Sequence, residues 1–326
     1  MFRTEVQVSP ADLNLTLKQQ VLTMGSCFAE VIGSKLHQNK VDVLVNPFGT
    51  IFNPVSVCLL LQSALGKPYS FKDNLVAQNG VWYAYDLHSS LSSQSKEALL
   101  QTVQERQAQC RSYLRQASLL IITLGTAVSY RLKQSGKLVA NCHKLPAANF
   151  VRELLPLEEM QAAFEETYQL LKAENPTLKV LLTVSPVRHT KETIPVNSVS
   201  KSLLRVLSHQ LQEAHEDVLY FPAYEMMMDD LRDYRFYKED MLHPTPLAED
   251  YIWQKFVDAF YAPEFRQFMG RWAKVQRAVA HRPFHPYTAA HQSFVRNTLE
   301  QIQTLERTYG ISASAETKAL QQQLTP

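Results

Sequence analysis

The sequence predicts an α/β protein with a doubly wound parallel sheet, three α/β/α layers deep, carrying a helical extension toward its C-terminal end. Three observations carry this expectation. Val21–Met24, Leu119–Leu124 and Val180–Val184 are short runs, apolar nearly throughout, as in strands covered on both faces. Between them lie longer stretches with apolar residues three or four apart, the period of an amphipathic helix. The runs end at small or turn-forming residues, Gly25-Ser26, Gly125-Thr126 and Ser185-Pro186.

Taken in order, residues 1–20 read as an extended arm with a turn at Asp12. Val21–Met24 is a strand that turns at Gly25 into a helix over Phe28–His37, with Phe28, Ile32 and Leu36 on its stripe. Val41–Val45 is a second strand, and Asn46–Pro54 is a turn-rich loop leaving its C-terminal end. A helix follows over Val55–Leu65. Val81–His88 is an aromatic strand or a wall over the cleft, in which Trp82, Tyr83 and Tyr85 could stack on a sugar or belong to the core. Ser95–Gln116 is a helix burying Leu99, Val103, Cys110 and Leu114, and Leu119–Leu124 is the middle of the sheet. Residues 128–140 form a hairpin about Ser135-Gly136. Leu157–Ala173 is helical, Val180–Val184 a strand, Asn197–His215 a helix, Val218–Phe221 a strand and Ala223–Leu231 a short helical piece. Phe236–His243 is a loop before a helix over Thr245–Tyr261, with Leu247, Tyr251, Phe256 and Phe260 inward. From Pro263 no strand pattern remains, so the chain divides into a sheet domain, 1–262, and a helical extension, 263–326, packed on the core or on a second subunit as a homodimer.

Composition narrows the function classes. At 326 residues and 45% hydrophobic the chain can bury a large core. A net charge of +2 gives no reason to expect nucleic acid or a membrane surface as partner. No apolar run nears the roughly 20 residues of a membrane span, and the first residues lack a signal-peptide core, so a cytoplasmic protein is expected. Cys27, Cys58, Cys110 and Cys142 form no CxxC pair and are expected to be free thiols. The basic stretch with Lys274, Arg277, His281 and Arg282 reads as a solvated face rather than a phosphate site.

Four segments should reach one edge of the sheet: the Gly25-Ser26-Cys27 turn, the Asn46–Asn53 loop, the Gly125-Thr126 turn and the loop holding Asp240 and His243. That edge, at the C-terminal ends of the strands, is where open α/β sheets bind ligands. Ser26 and Cys27 sit at a helix N-terminus, where unpaired N–H groups favour a thiolate or oxyanion. Alternatively Ser26 is only an N-cap and Cys27 a small buried hydrophobe. Asp240, three residues before His243, can fix an imidazole whose other nitrogen reaches a nucleophile. His143, Lys144, Arg188 and His189 could contact an anionic or sugar substrate, or Arg188 and His189 could pair with Glu192 while Lys144 is simply exposed. A metal site from His143, His189, Asp240 and His243 lacks zinc-ligand spacing, and neither metal nor cofactor is expected.

GSCFA at residues 25–29, NPFGTIFNP at 46–54, NCHK at 141–144, SPVRH at 185–189 and DMLHP at 240–244 resemble, in order, the motifs of the GSCFA-domain family over roughly residues 20–260. That family is similar to the SGNH, or GDSL-like, hydrolases. The resemblance implies a flavodoxin-like sheet and an esterase or O-acyltransferase acting on a small-molecule or glycan acyl ester, with Ser26 or Cys27 as nucleophile and Asp240 with His243 as its support. It further implies an oxyanion hole from the N–H groups of the nucleophile turn and Gly49, and a cleft lined by Gly125 and Thr126. The family's usual asparagine is replaced by Ala127, so Asn46, Asn53, Asn141 or His143 would have to substitute, or that donor is absent. A thiol at a helix N-terminus beside a histidine should have a lowered pKa, which favours Cys27 over Ser26. The altered blocks also fit a catalytically inactive, ligand-binding relative.

Overall fold

The computed structural model describes residues 3–8 and 13–324, so the turn expected at Asp12 lies outside the described residues. Five parallel strands make the central sheet: β1 (Val21–Gly25), β2 (Val43–Val45), β3 (Leu119–Leu124), β4 (Lys179–Val184) and β5 (Val218–Tyr220). Their spatial order is β2-β1-β3-β4-β5, the flavodoxin-like order. The chain reverses its direction of travel across the sheet between β1 and β3. Crevices open at such a switch point, outside the carboxyl ends of the strands.

The apolar runs become the inner strands because both their faces are covered. Leu22, Met24, Leu120, Ile122, Val180 and Leu182 join one buried cluster with side chains of α2 (Pro54–Ala64), α3 (Lys96–Gln116), α4 (Leu157–Glu174) and α5 (Ile194–Ala214). The alternate residues, Val21, Thr23, Ile121 and Leu181, are equally buried on the other face. There α1 (Cys27–Gln38) comes so close that a Cβ on Gly33 would stand 2.6 Å from the Val45 side chain. The result is the expected three layers. Each parallel pair is joined through a helix, as the crossover geometry of parallel strands requires.

Four elements differ from expectation. Phe150–Leu154 is a strand, pairing with Val128–Leu132 in a small antiparallel sheet, because its alternation of Phe150, Arg152 and Leu154 with Val151 and Glu153 suits an edge position. Val81–Ala84 pairs only with Leu75–Gln78, apart from the central sheet. Ala223–Glu225 is a single helical turn that widens into a π-helical turn at Met226–Asp230. Leu247, assigned inward, is 67% exposed: in α6 (Pro246–Phe260) the buried stripe runs through Ala248, Ile252, Phe256 and Phe260, one position round the helix.

The chain forms two compact units: 3–8, 20–35 and 43–255 in the first, and 13–19, 36–42 and 256–324 in the second, among the described residues. The second unit contains α7 (Pro263–Ala280), α8 (Ala289–Tyr309) and α9 (Ser314–Gln321). Fully buried Trp272 stacks on Phe268 there, with ring centroids 6.0 Å apart. No described helix is long and apolar enough to cross a membrane.

Candidate active site

At the end of β1, Gly25 takes φ +129°, a region that L side chains rarely adopt. A Cβ there would lie 2.2 Å from the Thr123 carbonyl oxygen. The turn delivers two small residues with different fates. Ser26 is fully buried; its N–H donates to Thr123 O (3.0 Å) and its Oγ accepts from Phe28 N (3.4 Å), so the hydroxyl caps α1 from inside. Cys27 is half-buried, and its thiol lies against its own N–H and that of Phe28. The turn thus presents the thiol and hides the hydroxyl.

The expected lowering of the thiol pKa is reversed. Burial raises it first, and the Glu30 carboxylate one turn along α1 raises it further; Lys201 and the two N–H groups oppose this without prevailing. Desolvation outweighs the helix N-terminus here, so the resting thiol is protonated at neutral pH and needs a base.

The loop after β2 is built to hold this turn. Asn46, at φ 40°, accepts from Gly25 N on Oδ1 (2.9 Å) and donates through Nδ2 to Glu30 Oε1 (3.4 Å), which also accepts from Thr50 Oγ1 (2.6 Å). Gly49 N–H donates to Asn46 O (2.8 Å), closing a turn, and its φ of +74° brings it against His88. Asn53 caps α2 by accepting from Ser56 N (2.8 Å). The oxyanion roles expected of Gly49, Ser26 N–H and Asn46, and the substrate role expected of Asn53, are therefore taken by structural bonds. Asn46→Ala should destabilise the protein by about 2–3 kcal/mol, because it leaves the Gly25 N–H unpaired and puts a less tolerant residue at positive φ. A urea melt at neutral pH measures this, and an unchanged midpoint would refute it.

After β3, Gly125 N and Thr126 N both donate to Phe52 O (2.8 and 3.1 Å), tying this turn to the Asn46–Pro54 loop. Thr126 Oγ1 bonds Ser200 Oγ (2.9 Å) and accepts from Val128 N (3.0 Å), so its hydroxyl too is engaged. After β4, Ser185–His189 reaches the same rim: the His189 ring meets Phe52 edge-on at 5.1 Å, and His189 N donates to Asn197 Oδ1 (2.9 Å). His189 Nε2 is buried without a partner. Burial first, then the charges of Lys201 and His243, drive its pKa down to about 4, so it stays neutral at physiological pH. Arg188 donates to Tyr237 OH (3.0 Å) and lies 4.5 Å over that ring, while Glu192 accepts from Tyr130 (2.9 Å). Arg188 thereby braces the base of the next loop.

That loop contains the pair expected from the sequence. His243 Nδ1 lies 2.6 Å from Asp240 Oδ2, and Asp240 Oδ1 accepts from the backbone N–H groups of Leu242 and His243, both at 2.9 Å. The two N–H bonds, then the imidazole, hold the Asp240 pKa down at about 2. The carboxylate therefore stays ionised, and keeps the loop fixed, until pH falls through about 2. With Nδ1 engaged, Nε2 is the nitrogen left for chemistry. Among the described residues no hydrogen bond joins His243 to Cys27 or Ser26. Between them, Cys27 is within reach of the Lys201 charge, and His189 within reach of those of Lys201 and His243.

The Asn141–Lys144 stretch does not supply substrate contacts through its histidine. His143 is buried, with Nε2 2.8 Å from Ala84 O, Nδ1 2.9 Å from Ser89 Oγ and its ring 4.8 Å from Tyr83. Asn141 Oδ1 accepts from His143 N (2.8 Å), and Lys144 is exposed. This is a core histidine. Tyr83 packs against it, which favours the core reading of the aromatic segment.

One residue escaped the sequence. Lys201, on α5, is 1% exposed and donates to Gly125 O and Ser185 O, each at 2.7 Å. The signal was present: Asn197, Lys201, Leu204, Ser208 and Leu211 share one helical face, so Lys201 falls on the inward stripe.

Comparison with known proteins agrees with the family-like motifs. The model of the GSCFA family matches residues 20–256, and that of the GSCFA domain protein, C-terminal domain, matches residues 272–326. No curated protein matches the chain. Among solved structures, a candidate GDSL-like lipase from Parabacteroides merdae is 11% identical, with 77% of this chain and 99% of that one covered at a TM-score of 0.40. A candidate acylhydrolase from Bacteroides fragilis is 11% identical over 78% and 89% (TM-score 0.39), and a family 3 carbohydrate esterase from Talaromyces cellulolyticus 8% identical over 77% and 98% (0.36). Scores this low carry no inference about activity.

Proposed function

Since the chain belongs to the GSCFA family, we propose that it is an acyl-ester hydrolase or O-acyltransferase that works through a thioester on Cys27. The observation that carries this reading is the Asp240–His243 pair, 2.6 Å apart, on a loop braced at the C-terminal rim of the sheet where β1 presents a half-buried thiol. His243 Nε2 takes the proton from Cys27 Sγ while Asp240 holds the tautomer and balances the imidazolium. The thiolate adds to the ester carbonyl, the C–O bond breaks, and the imidazolium returns the proton to the leaving alkoxide. Water hydrolyses the thioester, or an acceptor hydroxyl takes the acyl group.

The oxyanion needs donors other than those expected. Cys27 N–H, at the first position of α1, and the unpartnered His189 Nε2, in its protonated tautomer, are the groups this reading assigns. A small ester such as p-nitrophenyl acetate is the probe: a pre-steady burst and an acetylated Cys27 peptide by mass spectrometry are expected. Asp240→Asn should lower kcat by about 10²- to 10⁴-fold with little change in KM, since it alters the tautomer rather than binding. Equal rates for Asp240→Asn and the unaltered protein would remove the dyad from the mechanism.

The raised thiol pKa and the engaged N–H groups of Ser26 and Gly49 favour a second reading, a ligand-binding protein without turnover. Absence of both the burst and Cys27 acylation would select it.

A further inference from the structure

A lysine ammonium removed from water normally has a carboxylate beside it. Lys201 does not: among the described residues it is in no ion pair, and its two bonds go to the neutral carbonyls of Gly125 and Ser185. Two carbonyl dipoles solvate an ammonium but leave its charge unbalanced. Ser26 N–H, next to Cys27, donates to Thr123 O, and Nζ donates to the carbonyl two residues further on, Gly125 O, so the ammonium and the thiol-bearing turn are both tied to the end of β3. We propose that Lys201 is the buried charge partner of Cys27, a positioning residue whose ammonium stabilises the thiolate once the proton has left sulfur.

This deepens the reading above and rests on Cys27 as the nucleophile. Lys201 forms and breaks no bond; the Sγ proton still goes to His243. It answers the difficulty posed by burial and Glu30, which both oppose a thiolate. The groups facing the pair are Glu30 on α1, His189 on the loop after β4, and the Tyr224 ring 5.7 Å from Nζ. Of these Glu30 works against the thiolate, and neutral His189 and Tyr224 supply no charge to replace that of Lys201. Burial lowers the Lys201 pKa to about 7, and Cys27 acts to raise it.

The bland alternative is a strut: a lysine that ties the ends of β3 and β4 together through hydrogen bonds. Two variants separate the roles. Lys201→Gln keeps an N–H donor and removes the charge, while Lys201→Met removes both. The readout is alkylation of Cys27 by iodoacetamide, followed by peptide mass spectrometry between pH 6 and 10, with thermal melts to confirm folding. A charge partner predicts that both variants alkylate about tenfold more slowly at pH 7.5, with profiles displaced upward by about one pH unit or more. A strut predicts that Lys201→Gln matches the unaltered protein, which would overturn the proposal. The reciprocal measurement needs no change at Lys201. In protein labelled with ¹³Cε-lysine, Cys27→Ala should lower the Lys201 midpoint, and an unmoved midpoint would overturn the proposal even if both Lys201 variants failed to fold. Neither readout involves ester turnover, so failure of the esterase reading and failure of the charge coupling are seen separately.

Discussion

Cys27→Ala is expected to lower kcat on small acyl esters by about ten-thousandfold or more and to abolish the burst, because the β1 turn leaves its thiol half-buried while the neighbouring hydroxyl is fully buried. Ser26 is its immediate neighbour, but its hydroxyl is buried and accepts from Phe28 N. Ser26→Ala should therefore act on stability, by about 1 kcal/mol for a lost helix cap, and leave turnover within a few-fold. Stopped-flow release of p-nitrophenol, with a melt of each variant, tests both halves. The opposite pattern, with Cys27→Ala active and Ser26→Ala dead, would move the attack to the hydroxyl and require the turn to rotate.

Gly25→Ala should have the largest effect on stability. The new methyl would stand 2.2 Å from Thr123 O and 2.9 Å from Thr123 C, both backbone atoms of the central strand, at φ +129°. Neither the clash nor the angle can be relieved by turning a side chain. A loss of about 4 kcal/mol or more is expected, enough to remove a large part of a typical domain's stability. Equilibrium denaturation measures it. A variant that melts within about 0.5 kcal/mol of the unaltered protein would show that β1 can slide away from β3, contrary to the buried register between them.

The scaffold was legible because the hydrophobic pattern carries it. Leu119–Leu124 could hardly be anything but a strand covered on both sides, and Gly25 between an apolar run and an amphipathic stretch fixed the turn. The Asp240–His243 pair was legible for a similar reason, since three residues in a tight loop bring carboxylate and imidazole together locally. What stayed hidden depends on partners remote in sequence. Whether Gly49 N–H is available depends on Asn46 O, and whether His143 offers a nitrogen depends on Ala84 O and Ser89 Oγ. The Cys27 pKa depends on a contest between burial and the helix terminus, which a motif does not record. Lysine is normally solvated, so the residue type hides the role of Lys201, although its place on the α5 stripe marks it as inward.

Helix α1 starts with the thiol but ends among residues 36–42, which belong to the second compact unit together with 13–19 and 256–324. In that unit the Gln38 carbonyl accepts from Trp272 Nε1 (2.8 Å), 234 positions later, and from Gln276 Nε2 (2.9 Å), while Lys40 pairs with Glu316 (2.8 Å). During synthesis on the ribosome, the last turn of this helix must wait for almost the whole remaining chain before its partners exist. The nascent protein therefore carries an unfinished helix for most of its translation, and premature termination after the sheet is complete would yield a polypeptide with that helix end still bare.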